Sequence, residues 1–228
     1  NQEIKLISDL GVEIKTNFLV GRTATLNDLR QAGYRAFFMG TGAGLPSFMN
    51  IPGENLAGVC SANEYLTRVN LMKAARFPEY DTPVPVVKKA AVIGGGNVAM
   101  DAVRTALRLG ATEASIYYRR SRAEMPARVE EVKHAEGEGI KFNFLTVPVR
   151  YLGDDKGRLT GMVLQRLTLG EPDASGRRRP VPIPGSEFEV ETELAVVAIG
   201  QSPNPLLIGQ VEGLKLGRWG NVEVDPST

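Results

Sequence analysis

The apolar positions of this chain change period several times, and each change marks an element. Ile4, Leu6, Ile7 and Leu10 fall on one helical face, which Gly11 stops. Val12, Ile14, Phe18 and Val20 make residues 12–20 a strand candidate. Thr25, with Asp28 three residues on, opens a short helix that Gly33 ends. Residues 34–39 read as a dense apolar strand running into Gly40-Thr41-Gly42-Ala43-Gly44. After the loop at Pro52-Gly53-Glu54-Asn55, Ser61 and Glu64 form a capping box ahead of Tyr65, Leu66, Val69 and Met72. Residues 78–85 are a proline-rich joint.

A regular alternation follows. Residues 90–93 are an apolar run, a glycine turn comes next, and an amphipathic stretch continues to Gly110. Residues 114–118 form a second strand. Pro126 suits the first position of a helix over residues 127–138, and residues 140–147 form a third strand. This β-α-β-α-β order predicts a parallel sheet with right-handed crossovers. Residues 149–152, 162–169 and 188–190 then look antiparallel, separated by turn-rich stretches, so they are expected as an excursion from the parallel sheet. Residues 194–199 are continuously apolar, as a strand buried on both faces should be. Residues 213–224 read as returning strands. The fold class expected is α/β, with one domain over residues 61–203 and flanks at 1–60 and 204–228.

The turn after the first strand of that unit is Gly94-Gly95-Gly96-Asn97-Val98-Ala99. Strand, tight glycine turn and helix is the setting of a dinucleotide fingerprint, Gly94-x-Gly96-x-x-Ala99. Gly94 allows the sharp turn, and Gly96 lets the backbone approach a pyrophosphate. Ala99 lets helix and strand pack closely. Asn97 and Val98 lie at the helix start, where free N–H groups attract phosphate. The helix dipole explains Asp101 without a ligand. At the end of the second strand an acid selects NAD, whereas arginine accommodates the 2′-phosphate of NADP. Arg119, Arg120 and Arg122 stand there, so the cofactor expected is NADPH. Ala198, Ile199 and Gly200, at another strand's carboxyl end, are expected along the nicotinamide half. The second cluster, Gly40 to Gly44, fails as a fingerprint because Leu45 and Pro46 follow. It is either a ligand contact or a plain tight turn.

Composition narrows the classes. With 228 residues, 43% hydrophobic and 23% charged, the chain is an ordinary globular protein. Net charge is +1, which gives no general attraction to nucleic acid or anionic membrane. No apolar run approaches the roughly 18 residues of a membrane span, no signal peptide is evident, and a cytoplasmic protein is expected. Cys60 is the only cysteine, so the chain can form neither an internal disulfide nor a four-thiolate cluster. It opens without a Met and closes in what reads as an interrupted strand, as a piece of a longer polypeptide would. His134 is expected at the surface, Trp219, Tyr117 and Tyr118 as packing groups, and Cys60 as a small buried residue. Arg177-Arg178-Arg179 in its Gly/Pro loop is either solvated or a docking point for an acidic partner. No catalytic residue and no metal site are expected.

Three stretches carry a family resemblance: residues 92–101, Tyr118-Arg119-Arg120-Ser121-Arg122-Ala123-Glu124-Met125-Pro126-Ala127, and Ala198-Ile199-Gly200-Gln201. They resemble the NADPH domain of glutamate synthase small (β) subunits and related flavoprotein modules, including NADPH-dependent ferredoxin oxidoreductase and sulfide dehydrogenase subunits and dihydropyrimidine dehydrogenase. Residues 38–44, 51–55 and 61–66 are similar to that family's crossing from FAD domain to NADPH domain. The resemblance implies a Rossmann-like FAD/NAD(P)-binding fold with partial FAD-domain flanks, and it puts Gly40, Thr41 and Gly42 at the flavin. It implies hydride transfer from NADPH to FAD in the full-length protein, with iron–sulfur clusters only outside this chain. The partner implied is a glutamate synthase large subunit or another electron-acceptor subunit. The alternative is a nucleotide-binding module without turnover.

Overall fold

The computed structural model describes residues 2–174, 176–209, 211, 213–217 and 220–225. It divides into two compact units, Asn1–Leu45 with Ser202–Thr228, and Pro46–Gln201.

In the first unit, α1 (Gln2–Asp9) ends where Gly11 turns at φ +88° and donates its N–H to the Ser8 carbonyl at 2.9 Å. The helix α2 (Leu26–Gln31) starts at a complete capping box. Asp28 N–H donates to Thr25 Oγ1 at 3.2 Å, and Thr25 N–H donates to Asp28 Oδ2 at 2.8 Å. The two apolar runs expected as strands are not strands. Residues 12–20 hold only the bridge Val20–Ala24, and residues 34–39 have no regular structure, with Phe38 99% exposed. Extended backbone becomes a strand only where a second strand takes its hydrogen bonds, and none among the described residues does. A two-residue strand, β1 (Leu45–Pro46), closes this part of the chain.

The second unit has three layers. Its parallel sheet contains β2 (Val59–Ser61), β3 (Lys89–Ile93), β4 (Glu113–Tyr118) and β5 (Lys141–Phe144). The order is β2-β10-β3-β4-β5, where β10 (Leu194–Val197) pairs with β2 and β3. Alternate residues face opposite layers. Val92, Ile116, Leu194 and Val196 pack with α3 (Ala62–Leu66), α4 (Asn97–Arg108) and α5 (Val129–Gly137). Ala91, Ile93, Tyr117 and Ala195 pack with Tyr151, Met162 and Leu164 of an antiparallel sheet. That sheet is built on β7 (Leu159–Pro172), which pairs with β6 (Thr146–Gly153), β8 (Arg178–Pro182) and β9 (Phe188–Glu191). Burial on both faces leaves β10 wholly apolar and wholly buried.

Four local expectations are corrected. Residues 140–147 are two strands, because Leu145 turns at φ +53° and sends the chain from the parallel into the antiparallel sheet. The stretch 170–184 contains β8, whose Pro180 and Pro182 are tolerated because it pairs with β7 alone. The helix expected from residue 127 starts at Val129, with Arg128 as its cap, so Pro126 lies ahead of it. At Ser61 only the Glu64 N–H to Ser61 Oγ bond of the box is present, at 3.1 Å, and beyond Leu66 the helix continues as one π turn, Thr67–Leu71.

The strand β11 (Gln201–Ser202) pairs with β1, and α6 (Pro205–Ile208) follows, capped by Asn204. Within 213–224 the described residues hold one antiparallel bridge, Leu216 with Val222, in place of the expected strands. Trp219 lies outside the described residues. Among those residues no helix is long and apolar enough to cross a membrane.

Candidate nucleotide-binding cleft

The glycine turn is dictated by two neighbours. Gly94 has φ +147°, and its N–H donates to the Tyr117 carbonyl at 3.0 Å. A β-carbon there would fall 2.3 Å from the Ala198 carbonyl oxygen. One on Gly95 would fall 2.7 Å from the Tyr118 ring. Gly96 differs, for its β-carbon would meet open space. It stands at the start of α4 without a side-chain cap, so the first-turn N–H groups face that space. Ala99 and Met100 are fully buried behind them, as the close packing of helix and strand requires.

The turn forms one wall of a cleft of about 740 Å³ at the carboxyl ends of β3, β4 and β10. Open parallel sheets bind ligands at such strand ends. Gly94, Gly96, Asn97, Val98, Arg119, Arg120, Ala198, Ile199 and Gly200 all line it. So do Tyr117 and Tyr118, both largely buried as packing groups. Among the described residues the lining contains three arginines and no carboxylate, the third being Arg177.

The residues expected together are used differently. Asn97 Oδ1 accepts the Arg128 N–H at 2.9 Å, and Ala127 N–H donates to the Gly95 carbonyl at 3.1 Å, so residues 127–128 are tied to the turn. Arg119 is exposed at the cleft. Arg120 is 4% exposed, with Nη2 on Asp173 Oδ2 at 2.7 Å and Nε on the Arg178 carbonyl at 2.8 Å. Arg122 is not among the lining residues. Its guanidinium pairs with Glu136, Nη2 to Oε2 at 2.9 Å. Ala198 N–H donates to the Ile93 carbonyl at 2.8 Å, Ile199 is 44% exposed, and Gly200 turns at φ +118°. Gly40, Thr41 and Gly42 belong to the other unit and have no regular structure.

Of the remaining candidates, Asp101 and His134 are exposed on their helices. Cys60 is partly buried, and burial pushes its thiol up to about 12. A second cavity of about 690 Å³ lies at the amino ends of the strands. Its charges neutralise one another, with Lys89 on Glu191 at 2.5 Å and Arg158 on Asp154 at 2.8 Å. Among the charged lining residues, Arg177 is the one that the sequence did not bring to the cleft. Nothing local could have done so, because its loop reaches the cleft only through the β7–β8 pairing.

The chain matches the pyridine nucleotide-disulphide oxidoreductase family over residues 1–228, and it belongs to that family. It is 44% identical over 229 residues to the NADP(+)-dependent formate dehydrogenase subunit beta of Moorella thermoacetica, covering 99% of this chain and 31% of that protein. It is 39% identical over 232 residues to the glutamate synthase [NADPH] small chain of Azospirillum brasilense, covering 100% and 47%. The chain thus spans under half the length of either relative. Mycobacterium tuberculosis FprA in complex with NADPH has a similar fold, with a TM-score of 0.70, 22% identity, and coverage of 94% of this chain and 61% of that one. The fold is the Rossmann-like FAD/NAD(P)-binding fold.

Proposed function

We propose that the unit Pro46–Gln201 binds NADPH. In the intact polypeptide the reaction is then hydride transfer from NADPH to FAD, with electrons continuing to iron–sulfur clusters and an acceptor subunit outside this chain. In this reading residues 61–203 are the NADPH-binding domain, and residues 1–60 and 204–228 flank it as parts of an FAD domain. Gly40, Thr41 and Gly42 face the flavin.

The observation that carries the reading is a glycine turn at an uncapped helix start sharing one cleft with three arginines and, among the described residues, no carboxylate. A 2′-phosphate carries about two negative charges at neutral pH, and guanidinium forks hold it with charge-assisted bonds. The open space above Gly96 leaves room for a pyrophosphate on the helix N–H groups. An iron–sulfur cluster does not fit. Cys60 is the only cysteine, and among the described residues no group of three or more His, Cys, Asp or Glu is placed to hold a metal ion.

NADPH supplies the hydride when bound, and such a transfer needs no protein acid or base, so no catalytic residue is assigned. Gly94, Gly96 and the N–H groups of Asn97 and Val98 hold the pyrophosphate. Arg119 meets the 2′-phosphate, while Ala198, Ile199 and Gly200 orient the nicotinamide half and exclude water. The acceptor proposed is the large subunit of glutamate synthase, supported by identity to the Azospirillum small chain along the whole of this chain. The higher identity to the Moorella protein favours a second reading, in which the same module feeds a different multisubunit oxidoreductase.

The test uses the full-length protein. It is expected to be yellow and to oxidise NADPH, in preference to NADH, with an artificial acceptor. A colourless protein that binds NADPH without this activity leaves only a nucleotide-binding module. Stable association with the glutamate synthase large subunit separates the two acceptor readings.

A further inference from the structure

We propose that the described residues of the turn between β7 and β8, Asp173 and Arg177 above all, belong to the phosphate-selecting end of the cleft. Arg120 is a positioning residue that clamps this turn through Asp173, so that Arg177 joins Arg119 in holding the 2′-phosphate of the dinucleotide. The inference rests on the NADPH reading above.

Arg120 follows β4 directly, yet its guanidinium is turned away from solvent, its side chain being 5% exposed. A buried guanidinium is tolerated only with good partners, because leaving it unpaired is strongly destabilising. Here both partners, the Asp173 carboxylate and the Arg178 carbonyl, come from the β7–β8 hairpin. The position of that hairpin is therefore fixed by a residue of the segment that follows β4.

Asp173 performs a second task with its other oxygen. Oδ1 accepts the Arg177 N–H at 3.3 Å, while the Asp173 N–H donates to the Arg177 carbonyl at 2.7 Å. Gly176 N–H also donates to the Asp173 carbonyl, at 2.9 Å. One carboxylate thus shapes the turn that carries Arg177 and ties it to Arg120.

A parallel clamp sits beside the first. Arg178 Nε donates to Glu124 Oε1 at 3.2 Å, and Glu124 Oε2 accepts the Ser121 N–H at 3.1 Å. Tyr118 Oη donates to the Glu124 carbonyl at 2.8 Å. The segment carrying Arg119 and the turn carrying Arg177 are held as one body, and both arginines line the cleft. A doubly charged phosphomonoester between them would gain two guanidinium partners, whereas an unphosphorylated ribose would gain none.

The experiment measures binding of NADPH, NADH and adenosine 2′,5′-bisphosphate to the full-length protein by calorimetry. Wild type is compared with Arg177→Ala and Asp173→Asn, the latter at a carboxylate that is 33% exposed and leaves the fold a neutral isostere. Each variant is expected to weaken NADPH and the bisphosphate by about tenfold, the usual scale of one charged hydrogen bond, with NADH affinity unchanged. If Arg120 were itself the phosphate ligand, Asp173→Asn would free its guanidinium and tighten NADPH. Tighter or unchanged NADPH binding in that variant overturns the clamp, as does a parallel loss of NADPH and NADH. An unchanged Arg177→Ala overturns the second cation. A wild type with no preference for NADPH over NADH sinks the underlying NADPH reading instead, and this inference with it.

Discussion

Gly94 and Ala198 approach so closely that a β-carbon on Gly94 would stand 2.3 Å from the Ala198 carbonyl oxygen. The contact joins the fingerprint turn after β3 to the end of β10, two strands that are neighbours in the sheet. It also explains why glycine is needed at residue 94 on two counts, space and a φ of +147°. Gly94→Ala is expected to cost roughly 1–3 kcal/mol of stability, the range for overpacking, and to weaken NADPH as the turn shifts. Gly96→Ala meets open space at an ordinary φ of −91°, so it should leave thermal unfolding nearly unchanged while blocking phosphate approach. Melting curves and NADPH titrations of the two variants check the pair. Equal thermal losses in both would contradict the assignment.

The Asn97 side-chain oxygen accepts the Arg128 N–H at 2.9 Å. Asn97→Ala is expected to lose about 1 kcal/mol, the net value of one hydrogen bond. Asn97→Asp keeps the acceptor and should keep the stability, but it sets a negative charge beside the pyrophosphate and should weaken NADPH severalfold. Unfolding and titration of both variants separate the tether from the phosphate effect.

The parallel sheet and its glycine turn were legible because their signals are local. Apolar runs of 4–6 residues, a helical period and a glycine at a strand end sit side by side in the sequence. What was illegible depends on partners far away. The alternation through residues 140–147 runs without a break, and only the positive φ of Leu145 divides it between two sheets. The pairing of β8 with β7 turns a Pro-rich loop into a strand. Residues 34–39 have the composition of a strand and no described partner to complete one. At the cleft, Arg119 and Arg120 are equal as letters. One is exposed and the other buried because Asp173, 53 residues away, takes the second.

Arg119 and Arg122 should respond differently to truncation. Arg119 lines the cleft, so Arg119→Ala is expected to lower the NADPH-to-NADH affinity ratio by about tenfold or more. The guanidinium of Arg122 is engaged by Glu136 and holds that carboxyl below its ordinary value, chiefly through their hydrogen bond. Arg122→Ala should change the ratio less than twofold, with little effect on stability, because solvent screens the exposed pair. Calorimetry with both nucleotides measures the two ratios, and an unchanged ratio in Arg119→Ala would sink the arginine assignment.

Cys60 gives the chain an alkaline limit. Burial, with a smaller contribution from the Glu64 carboxylate, pushes its thiol from an ordinary value of 9.0 up to about 12. The folded protein therefore keeps this proton at pH values where the unfolded chain has released it. A raised value of this sign contributes stability that is complete below about pH 9 and is lost as pH rises towards 12. Tyr65, raised from 10.0 to about 12 by burial and by Cys60, acts in the same direction from a higher start. Between pH 8.5 and 10.5 the Cys60 share should be on the order of 1–2 kcal/mol. Denaturant unfolding of the full-length protein at those two pH values, beside Cys60→Ala, is the measurement. Wild type is expected to lose more stability than the variant over that interval; an equal loss would show that the thiol titrates at its ordinary value in the fold.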